Sequence, residues 1–450
     1  MMKKLISLIS IILLIFNILE VNAQQVHRID YQALLSLAKQ QNLNVRNALY
    51  DVDIARKQVW ETTAQGLPQV SSTLSYNNNL DLPVTLVPAL LFNPAAGADD
   101  FVEMKFGVQH NAQFNFQISQ LVFNGSYIVG LQTAKTFKLL SEQNLQRTEA
   151  EVVKNIQQSY FTLLFSMKNL QILQKTYEDM DKNYLEIKKT YEAGLAQETA
   201  ADQLLLNKLT LENAVRNAKR QIDVQLDLLK IQAGINLTDS IVITDSLDML
   251  FTSQAKEQLL VSPIDISQNP DLRLMATQEE INYQQVRLQK STLLPSVNAY
   301  FSHSQSGQSD DFTFFEKDQK WFPSNVVGAS ISIPLTTSGG TVSRIKQAEL
   351  ELQKTKNSRF LLEQNLMMTA QSAKNKLLNE YETYRISLKN YELAERIYKR
   401  ALVEFKEGML SSTELTQLNT QYFNNQSAMF AAMLNVLNAQ TELESILGKQ

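Results

Sequence analysis

The chain has 450 residues and no cysteine. That excludes disulfides, thiolate metal sites and a lipid-modified amino-terminal cysteine. Histidine is scarce too: His27, His110 and His303 are all there are. The last two fall near different strand-like segments, so the usual ligand cluster for a metal is missing. Gly339-Gly340 stands alone, and no glycine-rich phosphate loop is present. The expectation is therefore no metal, no cofactor and no enzyme activity. Charge of one sign is not in excess: the formal net charge is −4 and the pI about 5.7, so nothing favours nucleic acid as a partner. Beyond the amino terminus no run approaches 18 apolar residues, which excludes a membrane-spanning helix in the mature chain. Proline is confined as well. All nine prolines lie within residues 68–94 and 263–334.

What is present begins with a leader. Lys3 and Lys4 precede an apolar run from Leu5 to Leu19, and Val21-Asn22-Ala23 forms a small-residue cleavage site. This is the architecture of a secretory signal peptide over residues 1–23, with Gln24 as the mature start.

Three pairs of glycines then divide the chain into two copies of one unit. Gly125, Gly194 and Gly234 recur as Gly339, Gly408 and Gly448, with the same interval separating the members of every pair. Residues 131–193, 195–233, 341–407 and 409–447 contain neither glycine nor proline. Glycine costs a helix about 1 kcal/mol and proline about 3, so runs this clean predict long helices. A helix of about 65 residues reaches roughly 100 Å. The expected layout is a first repeat over 24–235 with a hairpin tip at Gly194, a linker over 236–262, and a second repeat over 263–450 with its tip at Gly408.

Strand patterns follow the pairs Leu67-Pro68 and Leu294-Pro295. Ala112, Phe114, Phe116 and Ile118 alternate with Gln113, Asn115, Gln117 and Ser119, and Val327, Ala329 and Ile331 alternate with polar or small residues. A period of two with one apolar and one polar face describes either a half-buried strand or a membrane barrel strand. Four strands are expected, at about 69–82, 106–123, 295–306 and 324–335, with residues 83–105 and 307–323 as loops. Four strands are too few to close a membrane barrel, and open edges do not face lipid. If these strands span a membrane, several chains share one barrel.

The helical runs carry a heptad stripe. Ile156, Leu163, Leu170, Tyr177, Tyr184 and Tyr191 are matched in the second repeat by Ala370, Leu377, Tyr384, Tyr391, Tyr398 and Phe405, at the interval that separates the glycines. Sustained heptads indicate coiled-coil packing. The other positions are polar. They suit either a two-helix rod or one stave of a cylinder with a wet bore.

The leader, the tandem repeat, the Leu-Pro pairs and the tips Tyr191-Glu192-Ala193-Gly194-Leu195 and Phe405-Lys406-Glu407-Gly408-Met409 together resemble the TolC family of outer-membrane efflux proteins. Gln41-Asn42-Leu43 and Gln268-Asn269-Pro270, one near the opening of each repeat, resemble its repeat starts. The resemblance covers nearly all of residues 24–448. It implies a mainly helical fold with a β-barrel part. In a homotrimer, four strands per chain would form a shared 12-stranded barrel in outer-membrane lipid above a helical periplasmic tunnel. It also implies partners: a periplasmic adaptor (membrane fusion) protein at the tips and, through it, an inner-membrane pump or exporter. The chain would be the passive exit duct of an efflux or type I secretion system.

The resemblance places acidic residues just after the second tip around the periplasmic aperture. Glu414 takes the first such place and the neutral Gln417 the second; Glu198 and Asp202 are the first-repeat candidates. Gly194, Leu195, Gly408 and Met409 are the expected adaptor contacts. The alternative reading is a secreted, non-membrane coiled-coil scaffold whose strands form a small soluble sheet.

Overall fold

The computed structural model describes residues 26–95, 97–254 and 258–449. The expected signal peptide lies outside the described residues. In chain order the elements are β1 (Val26–Ile29), α1 (Tyr31–Gln41), α2 (Leu43–Ala64), β2 (Gln69–Asn78), β3 (Val84–Pro88), β4 (Phe101–Lys105), β5 (His110–Asn124), α3 (Gly125–Glu192) and α4 (Glu198–Ala233). Then follow β6 (Ser240–Ile243), α5 (Leu247–Gln254), α6 (Gln258–Val261), α7 (Pro270–Ser291), β7 (Ser296–Ser309), β8 (Trp321–Ser332), α8 (Gly340–Lys406) and α9 (Ser412–Leu447). The long helices α3 and α8 contain 68 and 67 residues. Gly125 opens α3 and Gly130 lies inside it, so the helix begins before the glycine-free run that starts at residue 131. Among the described residues, no helix is long and apolar enough to cross a membrane.

The chain forms two compact units. One comprises Val52–Ser141 and Ala276–Ser358, and holds the main sheet. Its strand order is β2-β5-β7-β8, antiparallel throughout. The register separates two faces. Val70, Ile118, Phe301 and Val327 share one row; Leu74, Phe114, Gln305 and Pro323 share another on the same side. The opposite side carries Thr73, Asn115, Ser304 and Ser324, with Ser302 Oγ donating to Asn115 Oδ1 at 2.8 Å. Among the described residues, nothing covers the apolar side at its edge, where Val327 is 83% exposed. On that same side His303 Nδ1 and Asn325 Oδ1 lie 2.8 Å apart, so the two polar groups satisfy one another.

The four expected strands are present with shifted ends, but residues 83–105 are not simply a loop. They contain the antiparallel pair β3 and β4. Pro83 precedes β3 and Pro88 ends it, so neither proline removes a donor from the middle of the pairing.

The second unit comprises residues up to Asp51, Glu142–Met275 and Arg359 onward. Its core gathers Leu34, Val45, Ile156, Tyr160, Leu163, Leu229, Leu247, Leu377, Val436, Leu437 and Leu443. The heptad stripe is thus deeply buried at Ile156, Leu163, Ala370 and Leu377, while Tyr191 near the tip is exposed. The linker has a defined place. β6 pairs in parallel with β1, and Leu247, Leu250 and Phe251 enter the core. Asp245 Oδ2 accepts from the Tyr31 backbone N–H at 2.7 Å and from the Tyr160 hydroxyl at 2.8 Å. Burial first, and then that carboxylate, push the Tyr160 hydroxyl far above its usual range, so it remains a donor. Lys168 bridges to Asp248 at 2.8 Å, with its ammonium 4.7 Å from the Phe430 ring centre.

Both repeats close on the same joint. The Asn42 side chain accepts from the backbone N–H groups of Asn44 and Val45, which caps α2. Its amide donates to the Gln232 carbonyl, in the last turn of α4, at 2.6 Å. Asn269 caps α7 through Asp271 and Leu272 and donates to the Ile446 carbonyl, in the last turn of α9, at 2.9 Å. Each amide therefore satisfies the start of one helix and the end of another. The glycines that end α4 and α9 complete the contact. A Cβ on Gly234 would collide with the Gln41 carbonyl oxygen, and one on Gly448 with that of Gln268. Both also adopt a left-handed backbone, with φ of 75° and 67°.

Two outcomes follow from this joint. Asn42→Ala is expected to cost about 1–2 kcal/mol through loss of the cap, read as a lower midpoint in thermal denaturation followed by circular dichroism. Gly234→Ala is expected to lower that midpoint more than Gly339→Ala. Both glycines have positive φ, but nothing lies within 4 Å of a Cβ on Gly339. Equal shifts for the two alanine variants would show that close approach at Gly234 is not what requires glycine.

Candidate functional site

The candidate residues cluster at the two turns of the second unit where the long helices reverse. Each turn is a Schellman motif. Gly194 N–H donates to the Tyr191 carbonyl at 2.7 Å and Leu195 N–H to the Thr190 carbonyl at 2.9 Å. At the other turn, Gly408 donates to Phe405 at 3.0 Å and Met409 to Glu404 at 2.9 Å. The motif needs a left-handed residue, and φ is 76° at Gly194 and 73° at Gly408. In such motifs the residue after the glycine often packs on the side chain four places before the glycine. Here those partners are Thr190 and Glu404, which are polar. Leu195 is 80% exposed and Met409 is 72% exposed. The turn itself therefore leaves both apolar side chains in solvent.

The returning helices start differently. Ser411 caps α9, its hydroxyl accepting from the Glu414 backbone N–H at 3.2 Å. The Glu414 carboxylate in return accepts from the Ser411 backbone N–H at 3.1 Å and from its hydroxyl at 2.8 Å. That reciprocal pair is a capping box, a signature legible as Ser-x-x-Glu. It gives Glu414 a structural task that its position alone did not reveal. α4 starts at Gln197 with no side-chain cap. Glu414 and Gln417 are exposed on one side of α9, while Leu415 and Asn419 are buried on another. Glu198 and Asp202 are likewise exposed on α4, with Ala201 and Leu204 buried.

One contact brings the two starts together. Thr413 Oγ1 donates to Gln203 Oε1 at 3.3 Å, linking the first turn of α9 to the second turn of α4. The four aperture candidates therefore belong to neighbouring helix ends. Among the described residues, no group of three His, Asp or Glu is placed to hold a metal ion.

Behind the tips the repeats differ at one matched position. Lys208 bridges to Asp181 at 2.5 Å, with its ammonium 5.3 Å from the Tyr184 ring centre. The hydrogen bond to Asp181 raises the Lys208 pKa. Its counterpart in the second repeat, Tyr422, instead stacks on Tyr398 at 5.3 Å between ring centres and on Tyr391 at 5.9 Å. Burial pushes the Tyr398 hydroxyl up to about 12, with Asp179 adding to it. One hairpin is thus pinned by an ion pair and the other by an aromatic stack. The heptad stripe predicted the tyrosines of α8, and Tyr422 stands seven residues before Met429, in the heptad register that Met429, Val436 and Leu443 carry along α9.

The Ser411 hydroxyl and, after it, the Ser411 backbone N–H hold the Glu414 carboxyl below its ordinary value of 4.5. A depressed folded-state pKa stabilises above the unfolded pKa, and the contribution is lost as pH falls through the folded value. Amide exchange in the first turn of α9 should therefore stay slow from neutral pH to about pH 5 and then lose protection, after correction for intrinsic rates. Glu414→Ala should remove that protection at neutral pH. Unchanged exchange in the alanine variant would show that the capping box contributes nothing.

Comparison with known proteins agrees with this architecture. The chain matches the family described as outer membrane efflux protein over residues 34–230 and 265–449. A curated relative, the outer membrane protein TolC of Vibrio cholerae serotype O1, is 23% identical over 322 residues. That alignment spans 69% of this chain and 66% of the relative, just under two thirds of its length. Among solved structures, CusC superposes with a TM-score of 0.72 at 17% identity, covering 93% of this chain and 92% of its own. The Campylobacter jejuni outer membrane channel CmeC gives 0.69 at 16% identity, covering 93% and 85%. The Vibrio cholerae outer membrane protein VceC gives 0.69 at 15%, covering 93% and 96%. At these identities the structural likeness establishes the fold. The family match spans both repeats and the tips between them, and the chain belongs to the outer membrane efflux protein family, the TolC family of the bacterial outer membrane.

Proposed function

We propose that three copies of this chain form an exit duct in the outer membrane, with a shared 12-stranded barrel and a helical tunnel in the periplasm. The observation that carries this reading is the main sheet. It has four strands, two open edges at β2 and β8, one polar face and one apolar face that is exposed at Val70, Leu74, Val327 and Ile331. In hydrocarbon each unpaired backbone group costs several kcal/mol. Joining β8 of one copy to β2 of the next removes all the edges only when the ring closes. Three copies supply twelve strands, within the range of single-barrel sizes. The polar faces then line a wet bore and the apolar faces meet lipid. A secreted scaffold with a soluble sheet gives the exposed apolar face no role, and it does not suit an outer-membrane family.

Within this reading residues 1–23 are the leader, 24–235 and 263–450 the two repeats, and 236–262 the belt between them. The duct supplies no energy and performs no chemistry. A periplasmic adaptor protein docks on Gly194, Leu195, Gly408 and Met409, where the Schellman turns leave apolar side chains free. An inner-membrane pump or exporter acts through that adaptor to drive efflux or type I secretion. Glu414, Gln417, Glu198 and Asp202 ring the periplasmic aperture. Three carboxylates per ring gather negative potential in a constriction and favour cations.

Mass measurement and single-particle imaging of the detergent-extracted protein test the assembly. A threefold particle of three chains is expected, and a monomer recovered without detergent would overturn the shared barrel. Glu414→Gln tests the aperture, because glutamine preserves a capping box while removing the charge. Cation preference in planar bilayers should fall. Unchanged conductance and selectivity would remove Glu414 from the aperture.

A further inference from the structure

Among the described residues, nothing covers the β3–β4 hairpin. Val84, Leu86, Phe101 and Val102 are exposed, and they stand on both faces of the pair. A two-stranded hairpin is marginal in water unless something packs on it. Lipid does not supply that cover. β2 has ten residues, about 34 Å of strand. Tilted about 45°, that already crosses an apolar band of about 25 Å. β3 continues outward from the end of β2, past Asn79, whose N–H donates to the Gln109 carbonyl at 2.8 Å. The hairpin therefore lies beyond the membrane.

Its position on the sheet points to what covers it. β2 is an edge strand, and β3 follows it after residues 79–83, just as its partner β4 leads into β5, the strand paired with β2. If the next copy's β8 pairs with β2, the residues before β8 in that copy run on beside β3. Those residues form the loop from Asp310 to Lys320. In this chain the loop folds back over the apolar face. Phe312 and Phe314 meet the Tyr76 ring at 5.5 and 5.9 Å, and Phe314 meets Trp321 at 6.0 Å. The Tyr76 hydroxyl is 2.8 Å from His110 Nδ1. One member is left over: Phe315 stands beside Phe312 at 6.0 Å yet is 91% exposed.

We infer that the β3–β4 hairpin is a clasp between subunits, packing its apolar side chains on the 310–320 loop of the neighbouring copy, with Leu86 near Phe315 of that copy. The inference rests on the shared-barrel reading. It assigns residues 84–105 a role in holding the ring together above the membrane.

The absence of cysteine makes the test direct. Two forms of the full chain are coexpressed, one carrying Leu86→Cys and the other Phe315→Cys, and outer membranes are oxidised before denaturing electrophoresis. A band at twice the chain mass is expected from the mixture and not from either form alone. Two results overturn the clasp while leaving the assembly intact: no linked band from particles that still contain three chains, or self-linking by Leu86→Cys alone. Self-linking would mean that the hairpins meet one another across the mouth of the duct. If the extracted protein proves monomeric, the shared barrel fails and the clasp fails with it.

Discussion

The main sheet of this chain has two open strand edges, and a strand edge placed in hydrocarbon has no solvent to fall back on. Among the described residues, β2 bonds only to β5 and β8 only to β7. Water would hydrate the outward N–H and C=O groups at little cost, whereas lipid leaves them bare. One face exposes Val70, Leu74, Val327 and Ile331, and it is this face that the proposed duct turns toward lipid. Once that face is in the membrane, the edges demand further copies. In the proposed duct, the shared barrel and its bore then follow from closure of that ring rather than from any catalytic group.

The rest of the chain answers a different requirement, that of keeping long helices in register. Hydrophobic burial is concentrated where β1, β6, α1 and α5 surround the long helices. There the Asn42 and Asn269 amides tie the start of one helix to the end of another. Toward the tips the core thins to a small cluster around Tyr398, Ala401 and Leu415. Local opening free energies follow such burial. The tips, which in the proposed duct open to admit cargo, are thus the least buried part, while the large core around β1 and β6 holds the repeats. The different pinning of the two hairpins, Lys208 on Asp181 against Tyr422 on Tyr398, fits a tip in which one pair responds to ionic strength and the other does not.

Much of this was legible because its signals are local. Breaker-free runs give long helices, glycines at fixed spacing give the turns, and a period of two gives strand faces. The strand ends and the β3–β4 pair were not legible, since Pro83, Pro88 and Pro94 read as a loop unless one knows which positions lack a ladder bond. The linker's strand was hidden for another reason: Ile241-Val242-Ile243 pairs with His27-Arg28-Ile29 at the far end of the first repeat, beyond the reach of any window. At the tips, the glycines and exposed apolar residues stood out. The role of Glu414 did not, because an acidic residue near an aperture and one closing a capping box occupy the same place in sequence.

That last ambiguity limits how charge at the tip can be read. A carboxylate held by Ser411 is fixed in position and kept ionised, both of which an electrostatic ring needs. Its two hydrogen bonds also neutralise part of its field at short range. The capping role therefore does not compete with the aperture role so much as set its strength. A carboxylate free of the cap, as at Asp202 or Glu198, would project more potential but hold its position less well. The neutral Gln417 beside Glu414 leaves one fixed carboxylate at this end of α9, and three such groups in a ring would bias the passage of ions without closing it to neutral cargo.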